Sequence, residues 1–299
     1  MTTPTDGQSP QQEMIYKRIR EIGKAFPENL PEEMGRLYAP LMACAPRDRV
    51  EIIKDEKYGT DERNILDIYL PVSPQERAMP ILVFIHGGGY ISGDKSFCKN
   101  IGRYFAGNNI ITIIPSYRLA PKHKWPSGAE DVAGVLRWLG ANADRLGGDA
   151  GRIFLMGQSA GADHVATYLY FNEFHSDVVT ETAGAILMSG PFYDAKEISG
   201  PCLAYFGEDK KRHASFSIIN RIENSKVPLF IMFAEYDPPE FDRQSVLLFN
   251  AVYKHYGKCP FIKRIIGHNH ISEVMHINTG DDSIGPDIVS FVNSTGHSL

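Results

Sequence analysis

Several things are scarce in this chain. No apolar run approaches the roughly 20 residues needed to span a bilayer. Only four of the 299 residues are cysteine (Cys44, Cys98, Cys202 and Cys259), far apart and without a C-x-x-C pair. That spacing argues against a disulfide framework or a zinc site, and the expectation is free thiols in a reducing compartment, the cytoplasm. Basic charge is not in excess either: 31 Lys and Arg stand against 36 Asp and Glu, a formal net charge of −5. Without a basic stripe, nucleic acid and anionic membrane are unexpected partners. The short run Lys210-Lys211-Arg212 reads as a solvated turn. Residues Met1 to Gln12 lack the apolar core of a signal peptide and read as a disordered tail.

What remains is ordinary for a globular enzyme, with 43% hydrophobic and 22% charged residues and enough length to bury a full core. From Glu13 to Ala45 apolar residues recur at helical spacing, interrupted by Pro27 and Pro31. Two such helices ahead of any strand cannot bury their apolar faces on each other alone, so a lid over a site is expected there. Arg49–Lys57 and Asn64–Leu70 read as strands paired through a turn at Tyr58–Asp61. Short β-rich runs follow at Pro80–His86, Asn109–Pro115, Ile153–Met156, Ala183–Met188, Val227–Phe233 and Phe261–Ile266. Helical patterns fall at Ser127–Leu146, Ala162–Phe171, Asp237–Tyr256 and Asp281–Phe291. Buried strands alternating with helices predict an α/β fold, with a mostly parallel, roughly eight-stranded sheet covered on both faces. One domain over residues 13–299 is expected, and the aperiodic stretch Gly190–Ser215 is a second lid candidate.

The chain is organised around Gly157-Gln158-Ser159-Ala160-Gly161, a G-x-S-x-G between the run Ile153–Met156 and a helical segment. Strand, tight turn and helix with serine at the apex form a nucleophile elbow, and the new helix aims its N–H groups at an oxyanion formed there. His86-Gly87-Gly88-Gly89-Tyr90 ends an earlier strand, and consecutive glycines let backbone N–H groups approach a ligand closely. An acid and then a histidine should follow the serine. Asp237 lies just past the Val227–Phe233 run, with Glu235 and Asp242 as rivals. After the next strand comes Gly267-His268-Asn269-His270, where both histidines stay open. Their H-x-H spacing lacks further clustered ligands, so no metal and no cofactor is expected.

These motifs, together with Tyr117-Arg118-Leu119-Ala120-Pro121, Trp125-Pro126 and Glu130-Asp131, stand in the order seen in α/β-hydrolases. The chain from about Ile65 onward resembles the hormone-sensitive-lipase-like esterases and the related arylformamidase- and feruloyl-esterase-like carboxylesterases. The resemblance implies an α/β-hydrolase fold with a small helical lid, and a catalytic Ser159, Asp237 and His270, the histidine selected as the third residue after a glycine. It implies an oxyanion hole at the N–H groups of Gly88, Gly89 and Ala160. It also admits a homodimer. Lys122, Gln158, Ala162 and Ile271 depart from the family pattern, so substrate choice does not carry over. Ser159 and Asp237 lie only 78 positions apart, which suggests a modest lid. Tyr90, Gln158, Phe192, Tyr193 and Phe206 are candidates for the substrate pocket, while Arg118, Asp131 and Asp149 read as structural.

The activity expected is hydrolysis of small or aromatic carboxylic esters through an acyl-enzyme. Alternatives are an arylformamidase-like amide hydrolase, a lyase or transferase reusing the site, and a non-catalytic small-molecule receptor on the same fold.

Overall fold

The β-rich runs become eight strands in a computed structural model that describes residues 9–73, 77–176, 178 and 180–295. They are β1 (Val50–Lys57), β2 (Ile65–Pro71), β3 (Met79–Ile85), β4 (Ile111–Pro115), β5 (Gly148–Gln158), β6 (Thr182–Met188), β7 (Leu229–Tyr236) and β8 (Phe261–Asn269). They form one sheet in the order β1-β2-β4-β3-β5-β6-β7-β8. The first two pairings, β1 with β2 and β2 with β4, are antiparallel, and every later one is parallel.

Alternation along the strands builds two cores. In β3, Ile81, Val83 and Ile85 face one layer while Leu82 and Phe84 face the other. The first layer is completed by α4 (Ser127–Asn142), α5 (Ala160–Tyr170) and α8 (Pro239–Tyr256). The second is closed by α3 (Lys99–Gly107) and α10 (Gly285–Ser294).

The N-terminal helices are α1 (Pro10–Ile22) and α2 (Leu30–Cys44). α1 starts earlier than expected, because the Ser9 hydroxyl accepts from Gln12 N–H and the Gln12 side chain returns to Ser9 N–H. That capping box extends the helix into the supposed tail; the rest of the tail, residues 1–8, lies outside the described residues. Ile15 and Ile19 of α1 pack with Leu30, Met34 and Tyr38 of α2 against Tyr236, Ile271 and Met275. Both helices therefore bury their apolar faces on the end of β7 and on the segment that follows β8. After β6, residues 190–224 make only short turns, among them α6 (Leu203–Phe206) and α7 (Lys210–His213). The four-residue α9 (Ser272–Met275) follows β8.

Candidate active site

Ser159 sits between β5 and α5 with φ of +54°, a left-handed conformation that a side chain rarely adopts. The turn is tight enough to need its glycines. A Cβ on Gly157 would lie 2.3 Å from the Gly161 carbonyl oxygen, and one on Gly161 would lie 2.1 Å from that of Ile85. Ser159 N–H donates to the Met188 carbonyl at 2.9 Å, which locks the elbow to the end of β6.

Asp237 follows β7 and is fully buried. Its Oδ2 accepts from Ala234 N–H at 2.7 Å and lies 2.7 Å from Ser189 Oγ, while Oδ1 accepts from His270 Nδ1 at 2.8 Å. An imidazole that donates through Nδ1 presents Nε2 as its acceptor, the tautomer a general base needs. Gln158, the residue before the serine, donates its amide to the His270 carbonyl at 2.9 Å, so elbow and histidine loop are tied together. Among the described residues Ser159 Oγ and His270 Nε2 make no hydrogen bond to each other; such contacts often tighten only around a substrate. Phe241 and Phe26 flank the imidazole, with ring centroids 4.3 and 5.5 Å away.

The glycine loop lies against the serine. A Cβ on Gly87 would come within 3.2 Å of Ser159 Cβ, so the start of the glycine loop lies beside the apex. Among the described residues nothing accepts the N–H groups of Gly88, Gly89 or Ala160. Three unengaged donors around a serine can hold an oxyanion.

The pocket candidates divide. Phe192 and Phe206 stay partly open in an aromatic cluster with Tyr90, Ala160 and Tyr205. Tyr90 is buried there, stacked on Tyr205 at 4.7 Å, and its hydroxyl donates to Asp163. Tyr193 belongs to the core, and Gln158 turns its amide inward to His270 and Glu273. The rival carboxylates are spent elsewhere. Glu235 accepts from Gly267 N–H and pairs with Arg264, and Asp242 pairs with Lys24. His268 is buried between Asp281, Tyr16 and Ser272, away from Asp237. It stacks on His276 at 4.0 Å, and one ligand atom each from His268, His276 and Asp281 lies within 4.8 Å of the others, a cluster that the H-x-H spacing alone does not reveal. Arg118 donates to Asp131 through both its backbone N–H and Nε, a brace across the loop after β4.

Glu273 escapes a reading of the sequence. It is fully buried in α9 beside Asp237 and His270, accepts from Gln158 Nε2 at 2.8 Å, and lies 2.8 Å from Ser189 Oγ. Burial first, and then the Asp237 carboxylate, push its pKa well above the ordinary glutamate value. Only its position three residues after His270 could have drawn attention to it.

Residues 66–185 match the BD-FAE family model. The carboxylesterase NlhH of Mycobacterium tuberculosis is 42% identical over 153 residues, 50% of this chain and 42% of that protein. Isoprenylcysteine alpha-carbonyl methylesterase of Arabidopsis thaliana is 38% identical over 36% of this chain and 25% of its own length. The chain thus spans under half the length of these relatives. The overall fold is matched by a hyperthermophilic esterase from the archaeon Pyrobaculum calidifontis, with a TM-score of 0.71, 22% identity, and coverage of 96% of this chain and 98% of that one. Esterase B of Lactobacillus rhamnosus matches with a TM-score of 0.71 at 18% identity, over 96% of both chains.

Proposed function

We propose that this chain, which has the α/β-hydrolase fold, is a serine hydrolase of small or aromatic carboxylic esters. The observation that carries the reading is the buried Asp237–His270 hydrogen bond delivered beside an elbow serine. Ser159 is the nucleophile, His270 takes its proton and returns it to the leaving alcohol, and Asp237 orients the ring and stabilises the imidazolium. The N–H groups of Gly88, Gly89 and Ala160 hold the oxyanion in both half-reactions, and water then deacylates Ser159. The N-terminal helices and residues 190–215 act as the lid, with Phe192 and Phe206 as its aromatic wall.

A fluorophosphonate should label the wild type at Ser159, and Ser159→Ala should lose about 10⁴-fold or more of p-nitrophenyl butyrate turnover. Full turnover by that variant would sink the assignment. Faster cleavage of an aryl formamide than of the matched acetate would move the substrate class to amides.

β8 is an edge strand with Phe261 and Ile266 exposed, which supports a homodimer through that edge. Light scattering that gives a monomer at micromolar concentration would remove it. No helix among the described residues is long and apolar enough to cross a membrane. Four unpaired cysteines support residence in the cytoplasm, and protein isolated without reductant should titrate as four free thiols.

A further inference from the structure

Ser189 follows β6 with its hydroxyl between two buried carboxylates, 2.7 Å from Asp237 Oδ2 and 2.8 Å from Glu273 Oε2. A hydroxyl has one hydrogen to give. If both acids were ionised, one of these two contacts would set lone pair against lone pair in a fully buried site. A second hydrogen must therefore reside on one of the acids. Asp237 already accepts from His270 Nδ1 and from Ala234 N–H, as an anion does, so the proton does not belong there. On Glu273, Oε1 accepts from Gln158 Nε2, and among the described residues Oε2 meets only Ser189.

We propose that Glu273 is a positioning residue that works as the un-ionised acid: it donates to Ser189 Oγ, which turns the Ser189 hydroxyl onto Asp237 and holds that carboxylate against His270. The arrangement rests on the proposed roles of Asp237 and His270. The groups facing Glu273 are Gln158 at the end of β5, Ser189 and Tyr193 after β6, Asp237 after β7 and His270 after β8. Among the described residues no lysine or arginine pairs with Glu273, and the nearest imidazole nitrogen is 3.9 Å away and committed to Asp237. Loss of the Glu273 proton would leave two adjacent anions, free Ser189 to point at either, and loosen the hold on the imidazole. Glutamine in its place keeps a donor for Ser189 and an acceptor for Gln158, and it cannot ionise.

The test has an arm that needs no turnover. In an infrared difference spectrum of wild type against Glu273→Gln at neutral pH, the wild type should show the carbonyl stretch of an un-ionised acid that the variant lacks. Loss of carboxylate bands instead would overturn the proposal. Should the variant not fold, wild-type protein carrying isotopically labelled glutamate gives the same reading through the shift of that band. In the kinetic arm, with p-nitrophenyl butyrate, Glu273→Gln should stay within about threefold of wild type at neutral pH. It should also keep its rate into alkaline solution where the wild type declines. Glu273→Ala should lose about tenfold in kcat with little change in KM. A glutamine variant as impaired as the alanine one, or an alkaline decline identical to wild type, would count against the proposal. Failure of the esterase reading would show separately, as a Ser159→Ala enzyme with undiminished rate.

Discussion

At position 161 an alanine would place its Cβ 2.1 Å from the Ile85 carbonyl oxygen and 2.7 Å from that of His86. Both are backbone atoms at the end of β3 and the start of the glycine loop, so neither can swing aside as a side chain would. Gly161→Ala should cost about 2–3 kcal/mol in urea unfolding and lower kcat together with stability, because relief of the clash moves the loop away from Ser159. Gly89 is the useful contrast. Its φ of +58° carries a conformational penalty, yet a Cβ there meets nothing within 4 Å. Gly89→Ala should cost only about 1–2 kcal/mol and leave its N–H in place. An outcome in which 89 proves costlier than 161 would mean that backbone contact does not set the elbow. These glycines are legible in a sequence because their reason is local. The choice of Asp237 over Glu235 and Asp242 is not, since it depends on which carboxylate the β7–α8 corner swallows and which it leaves to Arg264 or Lys24. Glu273 is less legible still: nothing in the letters around it announces a buried acid.

The N-terminal helix pair is held by an apolar patch and a polar anchor. Ile19 is fully buried between the two helices and the loop that carries His270, while Tyr16 donates to Asp281 beside His268. Ile19→Ala should cost about 2–4 kcal/mol locally. In hydrogen exchange α1, α2 and residues 269–275 should then open together while β3 and β5 stay protected. Opening of α1 alone would show that the helices ride over the histidine loop without bracing it. The period of Ile15 and Ile19 made α1 readable, whereas its docking partners, Ile271 and Met275, lie about 250 residues onward. The buried strands were legible from β-rich runs, but their ends were not. β5 runs from Gly148 to Gln158 although its apolar stretch is only Ile153–Met156, because pairing with β3 and β6 carries the ladder past it. α3 is not legible at its length: nine residues give its apolar face, Ile101, Phe105 and Ala106, too few turns to show a period, and the second core stabilises it.

Across the whole molecule, buried ionisable groups fix how stability answers pH. Burial pushes His86 down to about 4, and His164 and His276 to about 3, from an ordinary 6.5. For these three the unfolded chain binds more protons through acid pH, so their contribution is present above about 6.5 and is lost as the pH falls through the folded values. Three acids act oppositely. Burial raises Asp163 from 3.8 to about 7, Glu273 well above its ordinary value, and Asp131 above its own. Their contribution is present below the unfolded value and is lost as the pH rises through the folded one. Approaching pH 6.5 from the acid side, the histidines offset these carboxyls, so stability should rise with pH there. Above about 6.5 the histidines fall silent and only the acids act. Stability should therefore peak near pH 6.5 and decline on both sides, as read from urea midpoints at about pH 5, 6.5 and 8. Asp163→Asn isolates one of the opposing groups, since an amide can still serve Tyr90 and the Phe192 N–H that Asp163 now binds. That variant should gain on wild type steadily between about pH 4 and 7, reaching a few kcal/mol, and track it in parallel beyond. A constant offset at every pH would mean that the buried carboxyl at 163 does not take up its proton on folding.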